Sequence, residues 1–338
     1  MNDRDISSDL LSESVARMLA DVVSPRRTIE AEALGIDAAA SQALSDLGLA
    51  GDDAAAIGIA EQAAVVEALG HAGALVPYAD AVAMARWLAL EAGFRVAPEE
   101  SLALLVNAAG APIVGRRVPW GRHCARTLLA FSEGGRHFVA IAETAALRLE
   151  NGANVAGEPR DKCRASPDAR EVREVGEALA PDAVMRRGAL LRTAAMIGAA
   201  RRIQELTLVY AGDRKQFGKP LAQFQVIQSY LAQMAGEVTA ATAMYLAARE
   251  AAAASGAQAA LEIAAAKVRA GLAAQVVSAL AHQVHGAIGF TQEYPLHLWT
   301  RRLWSWREEF GNETHWSRML GSQVVALGAD NYWERITA

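Results

Sequence analysis

Tyr210-Ala211-Gly212-Asp213-Arg214-Lys215-Gln216-Phe217-Gly218-Lys219-Pro220-Leu221, followed by Phe224-Gln225, stands between two long segments of helical periodicity. The upstream segment runs from about Ala183 to Ala211. The downstream one is expected to open at Pro220, a favoured first-turn residue, and carries Leu221, Phe224, Ile227, Leu231, Met234 and Val238 on one stripe as far as Gly256. Two readings of the junction stand side by side. It is a solvated loop with a capping glycine, or a place where the Arg214 fork grips a pyrophosphate bidentately while Phe217 offers a flat apolar face to a ring.

A second junction has the same character: Gln283-Val284-His285-Gly286-Ala287-Ile288-Gly289-Phe290-Thr291-Gln292-Glu293-Tyr294-Pro295. Gly286 and Gly289 allow a sharp turn or a close backbone approach to a ligand, and Gln283 supplies an uncharged donor and acceptor. A plain interhelix turn remains the alternative. Metal binding at His282 and His285 is disfavoured, because no Cys, Asp or Glu stands at ligand spacing. Further helices are expected from about Ala259 to His285, from Pro295 to Gly311, and through Val325, and short loops between them favour an antiparallel bundle.

Upstream the texture differs. Leu11, Val15, Met18 and Leu19, then Ile59, Ala63, Val66 and Leu69, recur at three- and four-residue spacing and predict several helices. Short apolar runs at Leu102–Val106, Thr127–Phe131 and Phe138–Ala142, with Gly134-Gly135 between the last two, predict strands and a hairpin. The expected organisation is therefore mainly α with a small β domain: helical over 1–98, β-rich over 99–178, and a helical bundle over 179–338.

The two junctions together resemble the acyl-CoA dehydrogenase family, which carries an Arg-x-x-Phe-Gly turn and later a Gln-x-x-Gly-Gly-x-Gly-Phe turn in its C-terminal four-helix bundle. The resemblance extends to Glu293-Tyr294-Pro295 and Arg301-Arg302, and covers about 183–330. More weakly, Leu47-Gly48-Leu49 and Val65-Val66-Glu67-Ala68-Leu69-Gly70 look like its N-terminal helical domain. It implies FAD as cofactor, an acyl-CoA thioester as substrate and an electron-transfer flavoprotein as acceptor. It places Arg214 on the FAD pyrophosphate of a neighbouring subunit and Phe217 against the cofactor, with Gln225, Gln283, Val284, Gly286 and Ala287 bordering it. Ala287 stands where the family has a second glycine.

The sequence departs from the family at the base that removes the α proton. One family position for that carboxylate falls on Phe310 and the other, on the first bundle helix, falls on Gly188. Glu308 and Glu309 adjoin the first position, but neighbouring helical residues point about 100° apart, and an exposed charged face beside Arg301, Arg302 and Arg307 is the other reading. The flavin-ring segments Thr-Glu-Pro-x-x-Gly-Ser and Trp-Ile-Thr have no counterpart; Val118-Pro119-Trp120-Gly121-Arg122 occupies that region. The pattern resembles the small, base-less subunits of heteromeric acyl-CoA dehydrogenases of steroid and sterol side-chain breakdown, which pair with a full-length catalytic subunit. The alternatives are a self-sufficient homo-oligomer using Glu309, and a flavin-free acyl-CoA-binding or scaffold protein. Trp299, Trp304, Trp306 and Trp316 either fill a vacated acyl pocket or pack in a core or interface.

Composition sets outer bounds. With 338 residues, 52% hydrophobic, 21% charged and a formal net charge of -5, the chain can build a sizeable core and gives no electrostatic case for nucleic acid. Cys124 and Cys163 form no disulfide framework or metal spacing, which fits a reducing cytoplasm. The polar, acidic start and the lack of a long uncharged apolar run predict neither a signal peptide nor a membrane partner.

Overall fold

In the computed structural model, residues 3–97, 100–106, 116–164, 171–255 and 259–337 are described. The expected boundary at 98/99 and the helix end at Gly256 lie outside them. The chain opens with α1 (Asp3–Val22), α2 (Pro25–Leu34), α3 (Ala38–Asp46), α4 (Gly51–Ala56) and α5 (Ile59–Ala72), then a π-helix over Tyr78–Arg86 that runs into α6 (Trp87–Glu91). Local chemistry sets these ends. Ser24 accepts from the Arg27 amide and Pro25 takes the first turn of α2, while Asp37 accepts from the Ala40 amide to start α3.

Strands follow: β1 (Leu102–Val106), β2 (Arg116–Pro119), β3 (Arg126–Glu133), β4 (Arg136–Glu143), β5 (Leu149–Glu150), β6 (Arg160–Cys163) and β7 (Glu171–Val175). They form a sheet of order β1-β3-β4-β7 and a smaller one of order β2-β6-β5. Gly134 and Gly135 both take positive φ, 59° and 78°, and turn β3 into β4. In the larger sheet β1, β3 and β4 are apolar on both faces in alternation, while the edge strand β7 is charged and largely exposed. Leu102, Leu104, Leu128, Ala130, Val139 and Ile141 join the main helical core, whereas Ala103, Leu105, Leu129, Ala140 and Ala142 join a second core with Val118, Trp120 and Leu147.

The C-terminal part holds α7 (Pro181–Asp213), a hairpin of β8 (Lys215–Gln216) and β9 (Lys219–Pro220), α8 (Gln225–Ser255), α9 (Ala260–His285), α10 (Leu296–Glu308) and α11 (Glu313–Thr337). Pro220 does not open a helix as expected. It closes the hairpin, and α8 begins at Gln225 after a 3-10 turn. The central contact is α5 against α7, where a Cβ on Gly198 would overlap the Glu67 carbonyl and one on Gly70 the Ala195 carbonyl. The two backbones therefore touch at that crossing. The span Ala260–Phe290 is long and apolar enough to cross a membrane, and 56% of its apolar window is buried inside the molecule.

Candidate functional site

The two junctions singled out in the sequence meet in space. Tyr210, in the last turn of α7, donates its hydroxyl to the His285 carbonyl (3.3 Å), stacks on the His285 ring at 4.3 Å and meets Tyr294 edge-on at 5.5 Å. His285 itself donates through Nδ1 to the Ala281 carbonyl at 2.7 Å. This aromatic cluster sets the Arg214 hairpin beside the Gly286 turn.

At the hairpin tip Phe217 and Gly218 have φ of 50° and 79°, the paired left-handed conformation of a tight two-residue turn. A phenylalanine there is strained, and its side chain is 92% exposed. Arg214 caps α7, is exposed and forms no ion pair among the described residues. Gln225, Gln283, Gly286 and Ala287 are exposed nearby, and Gly286 turns with φ of 62° and open space where a Cβ would lie. Val284 differs: its side chain is buried at 4% exposure, so only its backbone faces the turn. An open glycine turn beside an unpaired guanidinium and an uncharged amide suits a phosphate-bearing ligand, so these residues fit the pyrophosphate half of FAD.

The two family base positions also come together. The Phe310 ring lies on Gly188, where a Cβ would overlap it, and Phe310 takes φ of 53° while the Trp316 indole donates to its carbonyl (2.9 Å). One aromatic ring thus fills the space that either carboxylate would need. Gly188→Ala is expected to lower stability by about 1–3 kcal/mol through overpacking, and Phe310→Ala is expected to restore most of that loss. Urea titration of the two single variants and the double variant measures it; equal losses in the presence and absence of Phe310 contradict the packing.

Glu309 is not the exposed residue of the alternative reading. Arg160 grips its carboxylate through Nε (2.8 Å) and a terminal nitrogen (3.0 Å), and Arg192 Nε adds a third bond at 2.6 Å. Burial alone raises its pKa, but Arg160 and Arg192 outweigh that and hold it at about 2. A carboxylate so neutralised is a poor proton acceptor. Arg192 also reaches both Asp80 oxygens (2.7 and 2.8 Å), Arg160 reaches Glu158 (3.0 Å), and the Trp120 and Trp306 indoles donate to Asp80 and Glu158. This buried network ties the π-helix, the smaller sheet, α7 and the end of α10 together. Arg301 and Arg302 pair elsewhere, with Glu32, and Arg307 with Glu313.

Next to Phe310 lies a cleft of about 410 Å³ lined by Leu104, Val106, Arg117, Pro119, Met185 and Trp304 among others. The tryptophans divide between the two readings. Trp299, Trp306 and Trp316 are buried core residues with bonded indoles, whereas Trp304 is 42% exposed and walls this cleft. Asp80, Glu158, Arg160, Arg192 and Tyr210 as a linker were not singled out from sequence. Their signal was only a scatter of charges inside apolar segments. No group of three or more potential metal ligands occurs among the described residues.

Residues 179–317 match the family model of the acyl-CoA dehydrogenase C-terminal domain. The bundle belongs to the acyl-CoA dehydrogenase family. A curated relative, acyl-CoA dehydrogenase IpdE2 of Mycobacterium tuberculosis (strain ATCC 25618 / H37Rv), is 35% identical over 130 residues, covering 38% of this chain and 39% of the relative. The chain thus spans about two fifths of the length of the curated relative it matches. The acyl-CoA dehydrogenase-like arrangement of helices, sheet and bundle extends further. A chain of the ChsE4-ChsE5 complex from Mycobacterium tuberculosis superposes with a TM-score of 0.82 at 21% identity, covering 95% of this chain and 98% of that one. A chain of the Tcur3481-Tcur3483 steroid ACAD, in a variant form, gives 0.83 at 20% identity with 96% and 99% coverage. At these identities the likeness shows the fold.

Proposed function

We propose that this acyl-CoA dehydrogenase-family chain binds FAD and serves as the base-less subunit of a heteromeric enzyme that dehydrogenates an acyl-CoA thioester at its α and β carbons. The observation that carries the reading is Phe310 seated on Gly188 with Glu309 locked to two arginines, while Arg214, Phe217, Gln283 and Gly286 face outward. The site has lost its proton acceptor and kept its anion grip. When bound, FAD supplies the hydride acceptor for the β carbon.

In this reading Arg214 holds the cofactor pyrophosphate by charge-assisted hydrogen bonds, Gln283 and the Gly286 turn border it, and Phe217 covers an apolar face. The partner, a full-length acyl-CoA dehydrogenase, contributes the carboxylate, and a steroid or sterol side-chain CoA ester is the substrate class we favour, in line with the steroid ACAD of matching fold. Electrons then leave to an electron-transfer flavoprotein in the cytoplasm. A homo-oligomer using Glu309 as base is disfavoured by its pKa of about 2, and a flavin-free scaffold leaves the strained, exposed Phe217 without a role.

The test is to add acyl-CoA thioesters, including a steroid side-chain thioester, to the purified chain reconstituted with FAD. No bleaching of flavin absorbance is expected from the chain alone. Bleaching by the lone chain sinks the base-less reading.

A further inference from the structure

On the opposite side of α7 from Gly188 lies a second cavity, of about 280 Å³. The helical period explains the separation. Ala183, Arg186, Arg187 and Leu190 line this cavity, and at 100° per residue they turn away from the face that carries Gly188 and Arg192. Apart from Glu91, the remaining wall is apolar, with Ile59 from α5, Trp87 from α6, Leu179, Ala252 from α8 and Ile263 from α9.

The charges in this cavity do not balance. Arg187 stacks over the Trp87 ring at 3.9 Å and donates only to neutral acceptors, the Ala83 carbonyl (2.9 Å) and the Gln62 side-chain oxygen. Arg186 has its Nε buried with no hydrogen-bond partner, and no ion pair among the described residues involves it. Glu91 is the acid in the lining, and it is exposed and forms no ion pair with either guanidinium. Burial pushes Arg187 down to about 9 against the pull of Glu91. Buried cationic groups are ordinarily paired. Arg186 stands part-buried in the wall of this cavity with no ion pair among the described residues, and its unmatched positive charge suits an anion with an apolar body.

We infer that this cavity is a binding site for a short-chain carboxylate, with Arg186 gripping the carboxyl group and Trp87, Leu179, Leu190 and Ile263 enclosing the hydrocarbon. It shares no lining residue with the cleft beside Phe310 and does not include Arg214, Gln283 or Gly286, and it is independent of the heteromer reading.

The experiment uses the full chain, with hexanoate as probe and hexan-1-ol as uncharged control, read by calorimetric titration. Hexanoate is expected to bind the unaltered protein, and Arg186→Gln, which removes the charge-assisted bond, is expected to weaken it at least ten-fold. Leu179→Trp, which fills the cavity and leaves both arginines, is expected to abolish binding. Circular dichroism confirms that each variant is folded. Equal hexanoate affinity in Arg186→Gln, unchanged binding in Leu179→Trp, or hexanol binding as tightly as hexanoate would each overturn the assignment.

Discussion

Arg192→Met is expected to lower the unfolding free energy by about 3–5 kcal/mol, the loss that follows when one partner of a buried ion network is removed. Arg192 is 4% exposed and serves Asp80 and Glu309 at once. Methionine keeps much of its volume but leaves Glu309 with Arg160 and strands most of the Asp80 charge. Guanidinium titration measures the effect, and a loss under about 1 kcal/mol contradicts the description of a tightly coupled network. The same network imposes a pH dependence. Glu309 is held at about 2 against its ordinary 4.5, so its contribution is fully present above pH 4.5 and is lost as pH falls towards 2. Acid titration of stability should be flatter in Glu309→Gln than in the unaltered chain; identical slopes argue against the pairing.

Gly198→Ala is the second large effect. Its Cβ would overlap the Glu67 carbonyl and crowd the His71 amide, both backbone groups that cannot rotate away. The cost is expected at about 3 kcal/mol, the upper end of the overpacking range, which exceeds the gain of about 1 kcal/mol that alanine ordinarily brings to a helix. Gly236, on α8 with open space where a Cβ would lie, is the control. There Gly236→Ala should stabilise by about 0.5–1 kcal/mol. If both substitutions stabilise, α5 and α7 do not meet backbone to backbone at that crossing.

Much of this fold was legible in the chain because periodicity reports burial. The runs at Leu102–Val106, Thr127–Phe131 and Phe138–Ala142 lie in β1, β3 and β4, and the paired glycines between the last two form the expected turn. The helix expected from Pro220 failed for a local reason: the left-handed pair Phe217-Gly218 folds the chain back into a hairpin that consumes Pro220 before α8 starts. Arg214 and Gln283 could be paired as a candidate site because each sits in a motif. The Arg160–Arg192 network could not, since its members come from distant segments and nothing local marks a charge as buried. For the same reason the sequence leaves Glu309 open between a surface charge and a base, and only its neighbours in space show it paired with Arg160 and Arg192.

The most direct test of the base-less subunit reading is to co-express and co-purify the chain with a full-length acyl-CoA dehydrogenase and to measure bound flavin and acyl-CoA-dependent bleaching. The account predicts flavin and bleaching in the complex, both sharply reduced by Arg214→Ala in this chain although the complex still assembles. Flavin and bleaching that persist unchanged with Arg214→Ala would contradict it.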